Sequence, residues 1–183
     1  ASFNYASSAY CQNGSDPTAS ITGLSGGTFS STSGLSINAN TGQIDVSASS
    51  VGAYNVTYTT NGVCPSSTTL AISIQATDNA SFTYGGNTFC QNATDPSPTV
   101  SLSGGTFTRS PSGLVVNSST GQIDVSASSA GTYTVTYTTN GTCSNSSTQS
   151  VTINTVDNAS FNYASSAYCQ NGSDPTASIT GLS

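Results

Sequence analysis

GLSINANTGQIDVSAS at residues 34–49 and GAYNVTYTTNG at residues 52–62 are the stretches whose reading decides the fold. In the first, Leu35 and Ile37 alternate with polar residues. Asn40-Thr41-Gly42 interrupts the run, and Ile44 and Val46 resume it. In the second, Tyr54, Val56 and Tyr58 share one face of a two-residue period, and Asn61-Gly62 signals a type I′ hairpin. Leu70, Ile72 and Ile74 supply the returning edge. Alternation of this kind marks half-buried strands, since successive side chains point to opposite faces of a sheet. Working outward, Ser2–Tyr5 alternates with Phe3 and Tyr5 on one side, while Ala19–Thr22 and Thr28–Thr32 are short runs bounded by glycines. No stretch has a helical period. About seven short strands punctuated by turns predict an all-β fold, a sandwich with apolar faces inward and Ser/Thr faces toward water. Gly52-x-Tyr54 and Gly131-x-Tyr133 sit where a corner tyrosine would tie a loop to a strand. A simple core tyrosine fits those positions equally well.

The same text then recurs. TGQIDVSASS begins at Thr41 and again at Thr120, and YTTNG at Tyr58 and again at Tyr137. CQNGSDP at Cys11 returns as CQNATDP at Cys90 and as CQNGSDP at Cys169. Every offset is 79 residues. A fixed period longer than any one element is the signature of a repeat architecture. The expected domains are 1–79, 80–158 and a partial repeat at 159–183 that is identical to 1–25. Such an ending is expected of a segment of a longer array.

Composition narrows the function. Charged residues make up 4 % of the chain, against about 25 % in ordinary proteins. Arg109 is the single basic residue, His is absent, and the net charge is −6. That charge repels phosphate, so nucleic acid is excluded as a partner. Without His, Lys or Glu, no group titrates near neutrality to serve as a general acid or base, and no serine has a base to activate it. The aspartates recur at turn positions: Asp16-Pro17 and Asp95-Pro96 read as turn initiators, and Asp45 and Asp124 as outward-facing neighbours of Ile44 and Ile123. The chain is therefore read as not an enzyme, with no cofactor and no metal. No apolar run is long enough to span a membrane. The Ser/Thr richness alone would suit a disordered, sugar-coated stalk. Regular aromatics and alternation argue against that.

Five cysteines complete the sequence evidence. Cys11 and Cys64 are 53 residues apart, as are Cys90 and Cys143. We read one disulfide per repeat, Cys11–Cys64 and Cys90–Cys143, with the partner of Cys169 lying beyond residue 183. A zinc site is disfavoured because neither His nor a Cys-x-x-Cys spacing is present. A repeat of about 80 residues has a marginal core, and exported domains of that size use disulfides in oxidising surroundings. The expected location is extracellular or at a cell surface.

GLSINANTGQIDVSAS followed by GAYNVTYTT resembles the signature of cadherin-like and immunoglobulin-like bacterial domains. The whole unit also resembles tandem repeats of giant secreted surface proteins of gliding-type bacteria. The shared elements are Tyr-Cys, Asp-Pro-Thr, Gly-Gly-Thr-Phe, Thr-Gly-x-Ile and a Thr-Tyr-Thr-Val-Thr-Tyr-Thr-like strand. The resemblance covers nearly the whole chain. It implies immunoglobulin-like β-sandwich repeats and a role as adhesin, stalk, fibril or extracellular filament. Cadherin-like relatives often hold calcium between domains. Here each junction offers only Asp78 or Asp157 beside Asn79 or Asn158, too few oxygens for a six- to eight-fold cage.

Two functions follow. The first is a structural protein giving length and mechanical and proteolytic resistance, its partners being further copies of the repeat in the same or neighbouring chains. The covalent chain of beads is the simpler assembly, strand exchange the other. The alternative is an adhesive module recognising glycans or another cell surface, for which Tyr10 and Tyr168 are the least explained aromatics. Few charges suggest that a glycan coat keeps the surface hydrated. Asn-x-Ser/Thr sequons recur in register at Asn13, Asn92 and Asn171 and at Asn79 and Asn158. In a chain this rich in Ser and Thr, sequons also arise by chance.

Overall fold

The structure, a computed structural model, describes residues 1–180. The last three residues of the expected partial repeat lie outside the described residues. Among the described residues every regular element is a strand. β1 (Phe3–Asn4), β2 (Ala9–Cys11), β3 (Ser20–Ile21), β4 (Thr28–Ser31), β5 (Ser36–Ile37), β6 (Ile44–Asp45), β7 (Gly52–Thr59) and β8 (Ser67–Gln75) form the first set. The second set follows one period later: β9 (Phe82–Thr83), β10 (Thr88–Cys90), β11 (Thr99–Val100), β12 (Thr106–Ser110), β13 (Val115–Val116), β14 (Ile123–Asp124), β15 (Gly131–Thr138) and β16 (Ser146–Asn154). β17 (Phe161–Asn162) and β18 (Ser178–Ile179) repeat β1 and β3. By contacts the chain forms two compact units. The first is 1–81, 100–106 and 137–147; the second is 82–99, 107–136 and 148–183. Residues 137–147, late in the second sequence repeat, thus pack in the first unit.

In the first set a four-stranded sheet runs in the order β2-β8-β7-β4, and the antiparallel pairs β1–β3 and β5–β6 form the opposing layer. The fold is a β-sandwich. Its core is built from residues that alternation selected, Phe3, Ile44, Val46, Val56, Tyr58, Ile72 and Ile74, joined by Phe29, all at most 5 % exposed. Phe3 stands edge-on to Phe29 at 5.3 Å, and Phe29 packs on Tyr58 at 4.6 Å. The strand order β10-β16-β15-β12 recurs in the second set, with Leu114, Ile123, Val125 and Val135 fully buried.

The Asn40-Thr41-Gly42 break forms as expected. The Asn38 side-chain oxygen accepts the N–H groups of Asn40 and Thr41, and Gly42 has a φ of 68°. Only glycine suits that position, because a Cβ would lie 2.7 Å from the Ala19 methyl. The Gly42 carbonyl accepts the Tyr5 hydroxyl, locking β1 to the turn. Tyr54 and Tyr133 satisfy both readings of the corner position. Each ring is buried, and its hydroxyl donates to the carbonyl four residues upstream, Ser50 or Ser129.

Three sequence readings need correction. The hairpin after β7 is not a two-residue type I′ turn. Thr60 and Ser66 close a five-residue loop, and neither Asn61 nor Gly62 has a positive φ. The reason is register. β7 and β8 pair Tyr54 with Ile72 and Val56 with Leu70. A two-residue loop would pair Thr60 with Val63, an odd slip that turns Ile72 and Ile74 away from the core. Second, Asp16 and Asp95 do more than start turns: their carboxylates accept the N–H of Val46 and Val125, 30 residues away. Third, each repeat has an eighth strand, β2 or β10, which runs parallel to β8 or β16.

Tyr58 joins core and loop. Its hydroxyl donates to the Leu24 carbonyl and accepts the Gly27 N–H. Tyr58→Phe leaves both backbone groups without that partner and should cost about 2 kcal/mol, read from denaturant unfolding. Tyr54→Phe should cost about 1 kcal/mol.

Burial, with a smaller contribution from Tyr10, pushes the Tyr5 phenol up to about 12; burial alone does so for Tyr84. The neutral phenol is the form the fold favours. Its contribution to stability is full below pH 10 and is lost as pH rises from 10 toward 12. Tyrosinate absorbance followed against pH should therefore show late-ionising phenols that coincide with alkaline unfolding. Tyr5→Phe should remove one of them.

Candidate functional site

The feature that joins sequence repeats is built at the end of β8. β2 lies parallel to the last residues of β8, with Ala9 opposite Ser73, Tyr10 opposite Ile74 and Cys11 opposite Gln75. The Gln12 N–H continues the ladder to the Gln75 carbonyl at 3.0 Å. Cys11 is therefore held where β8 finishes. Cys64 sits in the hairpin loop before β8 begins. The run from Ser67 to Gln75 separates the two by about 25 Å at ~3.3 Å per residue. A disulfide needs Cα atoms within about 7 Å. The expected Cys11–Cys64 bridge is thus corrected by the strand register. The same reasoning corrects Cys90–Cys143, because Cys90 stands opposite Asn154 at the far end of β16 from the loop holding Cys143.

Instead Cys11 bonds Cys143, with Cα atoms 5.4 Å apart and 132 residues between them in sequence. Both lie in the first unit. Cys64, Cys90 and Cys169 are free and exposed. The 53-residue spacing could not reveal this. A cysteine pattern repeated every 79 residues fits pairing within a repeat, 53 residues apart, and pairing one period further, 132 residues apart, equally well.

The bonded loop is seated by more than sulfur. Thr139 and Asn145 close it through their backbones at 2.9 Å. The Asp78 N–H donates to the Cys143 carbonyl at 2.9 Å, and the Asn13 side-chain amide donates to the Ser144 carbonyl, also at 2.9 Å. The Asn145 amide donates to the Asp78 carbonyl at 3.2 Å. Cys143 is left 4 % exposed. Gly141 lies against the Asp78 carboxylate so closely that an added Cβ would collide with Oδ2. That oxygen is buried and accepts no hydrogen bond among the described residues. A shallow, mostly apolar hollow of about 490 Å³ beside the bond is lined by Val51, Ile74, Gln75, Asp78 and Cys143, among others.

The other predicted residues fall as follows. Asn79 and Asn158 are exposed, and each side-chain oxygen accepts an N–H two residues on, from Ser81 and Ser160. Among the described residues no hydrogen bond engages their amide nitrogens. Asn92 and Asn171 are exposed, whereas the Asn13 amide nitrogen is spent on the loop. Asp45 and Asp124 are held below the usual carboxylate range, first by the backbone N–H of Ala48 or Ala127 and then by the hydroxyl of Ser47 or Ser126. These two aspartates, like Asp16 and Asp95, are committed to backbone groups. Tyr10 is half-buried edge-on to Tyr5, and its hydroxyl accepts the Ser7 N–H. Among the described residues no helix is long and apolar enough to cross a membrane, and no three metal-binding side chains cluster.

The loop's chemistry predicts its own readouts. Peptide mapping without reductant should yield one link, Cys11–Cys143, and three titratable thiols in the monomer. Cys143→Ser should cost about 5 kcal/mol in the chain-entropy picture, whereas Cys64→Ser should cost almost nothing. Gly141→Ala should impair formation of the bond, because the new methyl meets the Asp78 carboxylate.

No family model matches the chain, and no curated protein matches it. Among solved structures it is similar to mouse cadherin-23 EC22-24, at 11 % identity and a TM-score of 0.33, over 85 % of this chain and 65 % of that one. The protocadherin gamma B4 extracellular domain is matched at 12 % identity and a TM-score of 0.39, over all of this chain and 41 % of that one. The human desmocollin-1 ectodomain is matched at 13 % and 0.34, over 95 % and 45 %. The chain thus spans about two thirds or less of the length of these structures.

Proposed function

We propose that this chain is a non-catalytic structural segment of a long extracellular filament or surface stalk, with the repeat boundaries at 79 and 158. The observation that carries this reading is the Cys11–Cys143 bond, which ties β2 of one sequence repeat to the hairpin loop of the next. A bond of that kind does nothing for a catalytic pocket. It makes consecutive repeats of one chain mechanically continuous and keeps the residues between them from being drawn out. Repeats that interact mainly with neighbours give length cheaply. Disulfides that persist belong to oxidising surroundings, which supports a location outside the cell. The resemblance to secreted surface proteins of gliding-type bacteria points the same way. Glycans on Asn79 and Asn158 would hydrate a surface with few charges. The adhesive alternative loses its first candidate in Tyr10, whose ring and hydroxyl are used within the fold.

Electron micrographs of native material should show threads with an axial period of one or two repeats; isolated globules would end the filament reading. In single-molecule pulling from the two termini, reductant should release roughly 45 nm of additional length, from 132 residues at ~3.4 Å each. Equal extension with and without reductant would contradict the mechanical role of the bond.

A further inference from the structure

We propose that Cys90, Asn92 and Asp157 form a second docking site, which receives the hairpin loop 60–66 of another copy of this chain and bonds its Cys64. The inference deepens the filament reading by naming the joint. Imaging tests the filament and the experiment below tests the joint, so either can fail alone.

The first argument is the socket. Loop 139–145 is held by Cys11, Asn13 and Asp78. One period later stand Cys90, Asn92 and Asp157, around a hollow of about 300 Å³ also lined by Thr155 and Val156. Cys90 ends β10 opposite Asn154 as Cys11 ends β2 opposite Gln75. The Gln91 N–H reaches the Asn154 carbonyl at 3.0 Å, as Gln12 reaches Gln75. Cys90 is free and exposed. Asn13 and Asn92 are both exposed, but only the Asn13 amide holds a loop; among the described residues the Asn92 amide has no hydrogen-bond partner.

The second argument is the loop. Thr60 and Ser66 close it through the same backbone bond, at the same 2.9 Å, as Thr139 and Asn145. Its glycine, Gly62, has no positive φ, and a Cβ there would meet nothing closer than Leu24 Cδ2 at 3.4 Å. Nothing in its own unit calls for glycine. At the corresponding Gly141, the Asp78 carboxylate excludes any side chain. Asp157 supplies that carboxylate at the second site. Beside Gly62, Val63 is fully exposed and Cys64 is a free thiol, whereas seated Cys143 is buried.

The two halves match chemically. The Asp157 N–H would donate to the Cys64 carbonyl and the Asn92 amide to the Pro65 carbonyl; proline keeps its acceptor. One contact of the first site has no counterpart, because Ser66 replaces Asn145. Residues 159–180, which follow Asp157, repeat residues 1–22. The two segments have the same sequence and the same pairing, Phe161 opposite Ile179 and Phe3 opposite Ile21. Phe161 is 63 % exposed where Phe3 is 5 % exposed.

Bond formation needs an oxidant, for which oxidised glutathione serves. The Cys64 thiolate attacks its disulfide, forming a mixed disulfide and releasing one reduced glutathione. The Cys90 thiolate then attacks the Cys64 sulfur and releases the second. Two protein thiols are oxidised, one small disulfide is reduced to two thiols, and the two thiol protons end on the departing glutathiones.

The test incubates the full chain with oxidised glutathione and resolves the products without reductant. The expected result is a ladder of multimers whose mapped link is Cys64–Cys90. Cys64→Ser and Cys90→Ser should each abolish the ladder while keeping the Cys11–Cys143 bond and the β circular-dichroism spectrum, and Cys169→Ser should leave it intact. Asn92→Ala should slow its appearance about fivefold, the equivalent of one hydrogen bond. A product that stays monomeric, a ladder that survives Cys90→Ser, or links mapped chiefly to Cys169 would each overturn the proposal.

Discussion

The pairing of β7 with β8 is the constraint on which the rest depends. Eight residue pairs, from Gly52 opposite Ile74 to Thr59 opposite Ser67, hold Tyr54 and Val56 over Ile72 and Leu70. A slip by one residue would turn every one of those side chains to the other face. Once the register is fixed, the hairpin loop lies at one end of the sheet and the end of β8 at the other. β2, which carries Cys11, pairs only with the end of β8. The cysteine in the loop and the cysteine on β2 are thereby kept at opposite ends. Cys11 therefore takes its partner from the loop of the next sequence repeat. Covalent joining of repeats is thus a consequence of how the core chooses its strand alignment.

The sandwich itself was legible in the residues. Apolar alternation located the buried faces at Tyr54, Val56 and Tyr58 and at Ile72 and Ile74, and the Asn40-Thr41-Gly42 turn formed where its chemistry requires. Gly52-x-Tyr54 marked a tyrosine that fitted a corner tie and a core position equally, and it is both. The short strand Ala9–Cys11 was not legible. Three residues, Ala-Tyr-Cys, give neither alternation nor β-branching, and a parallel edge strand leaves no turn signal beside it. That omission hid the site, since β2 decides where Cys11 lies. The Asn61-Gly62 signal misled because local turn preference is worth less than keeping two isoleucines in the core. The second repeat offered a hint in Gly141, whose need for a missing side chain becomes visible only once Asp78 is placed against it.

The aspartates show how a chain with few charges uses them. Asp16, Asp45, Asp95 and Asp124 each hold backbone N–H groups. Short strands leave many such donors without a ladder partner, and a buried donor left unpaired is costly. Carboxylates recruited in this way organise loops and are not free for proton transfer. Hydroxyls do the same work more weakly: the Ser49 and Ser128 hydroxyls accept the N–H of Ser36 and Val115. The polar composition that first suggests disorder is, in the folded chain, a set of loop fasteners.

The single arginine gives the disulfide a further consequence. Arg109 is exposed on β12, and its position falls between Cys11 and Cys143. A protease that recognises basic residues has that one place to cut, inside a covalently closed ring of chain. Hydrolysis there opens the ring without parting the molecule, because the sulfur link still carries the connection from one side of the nick to the other. A strand of such links can be severed at its one vulnerable peptide bond and still bear tension.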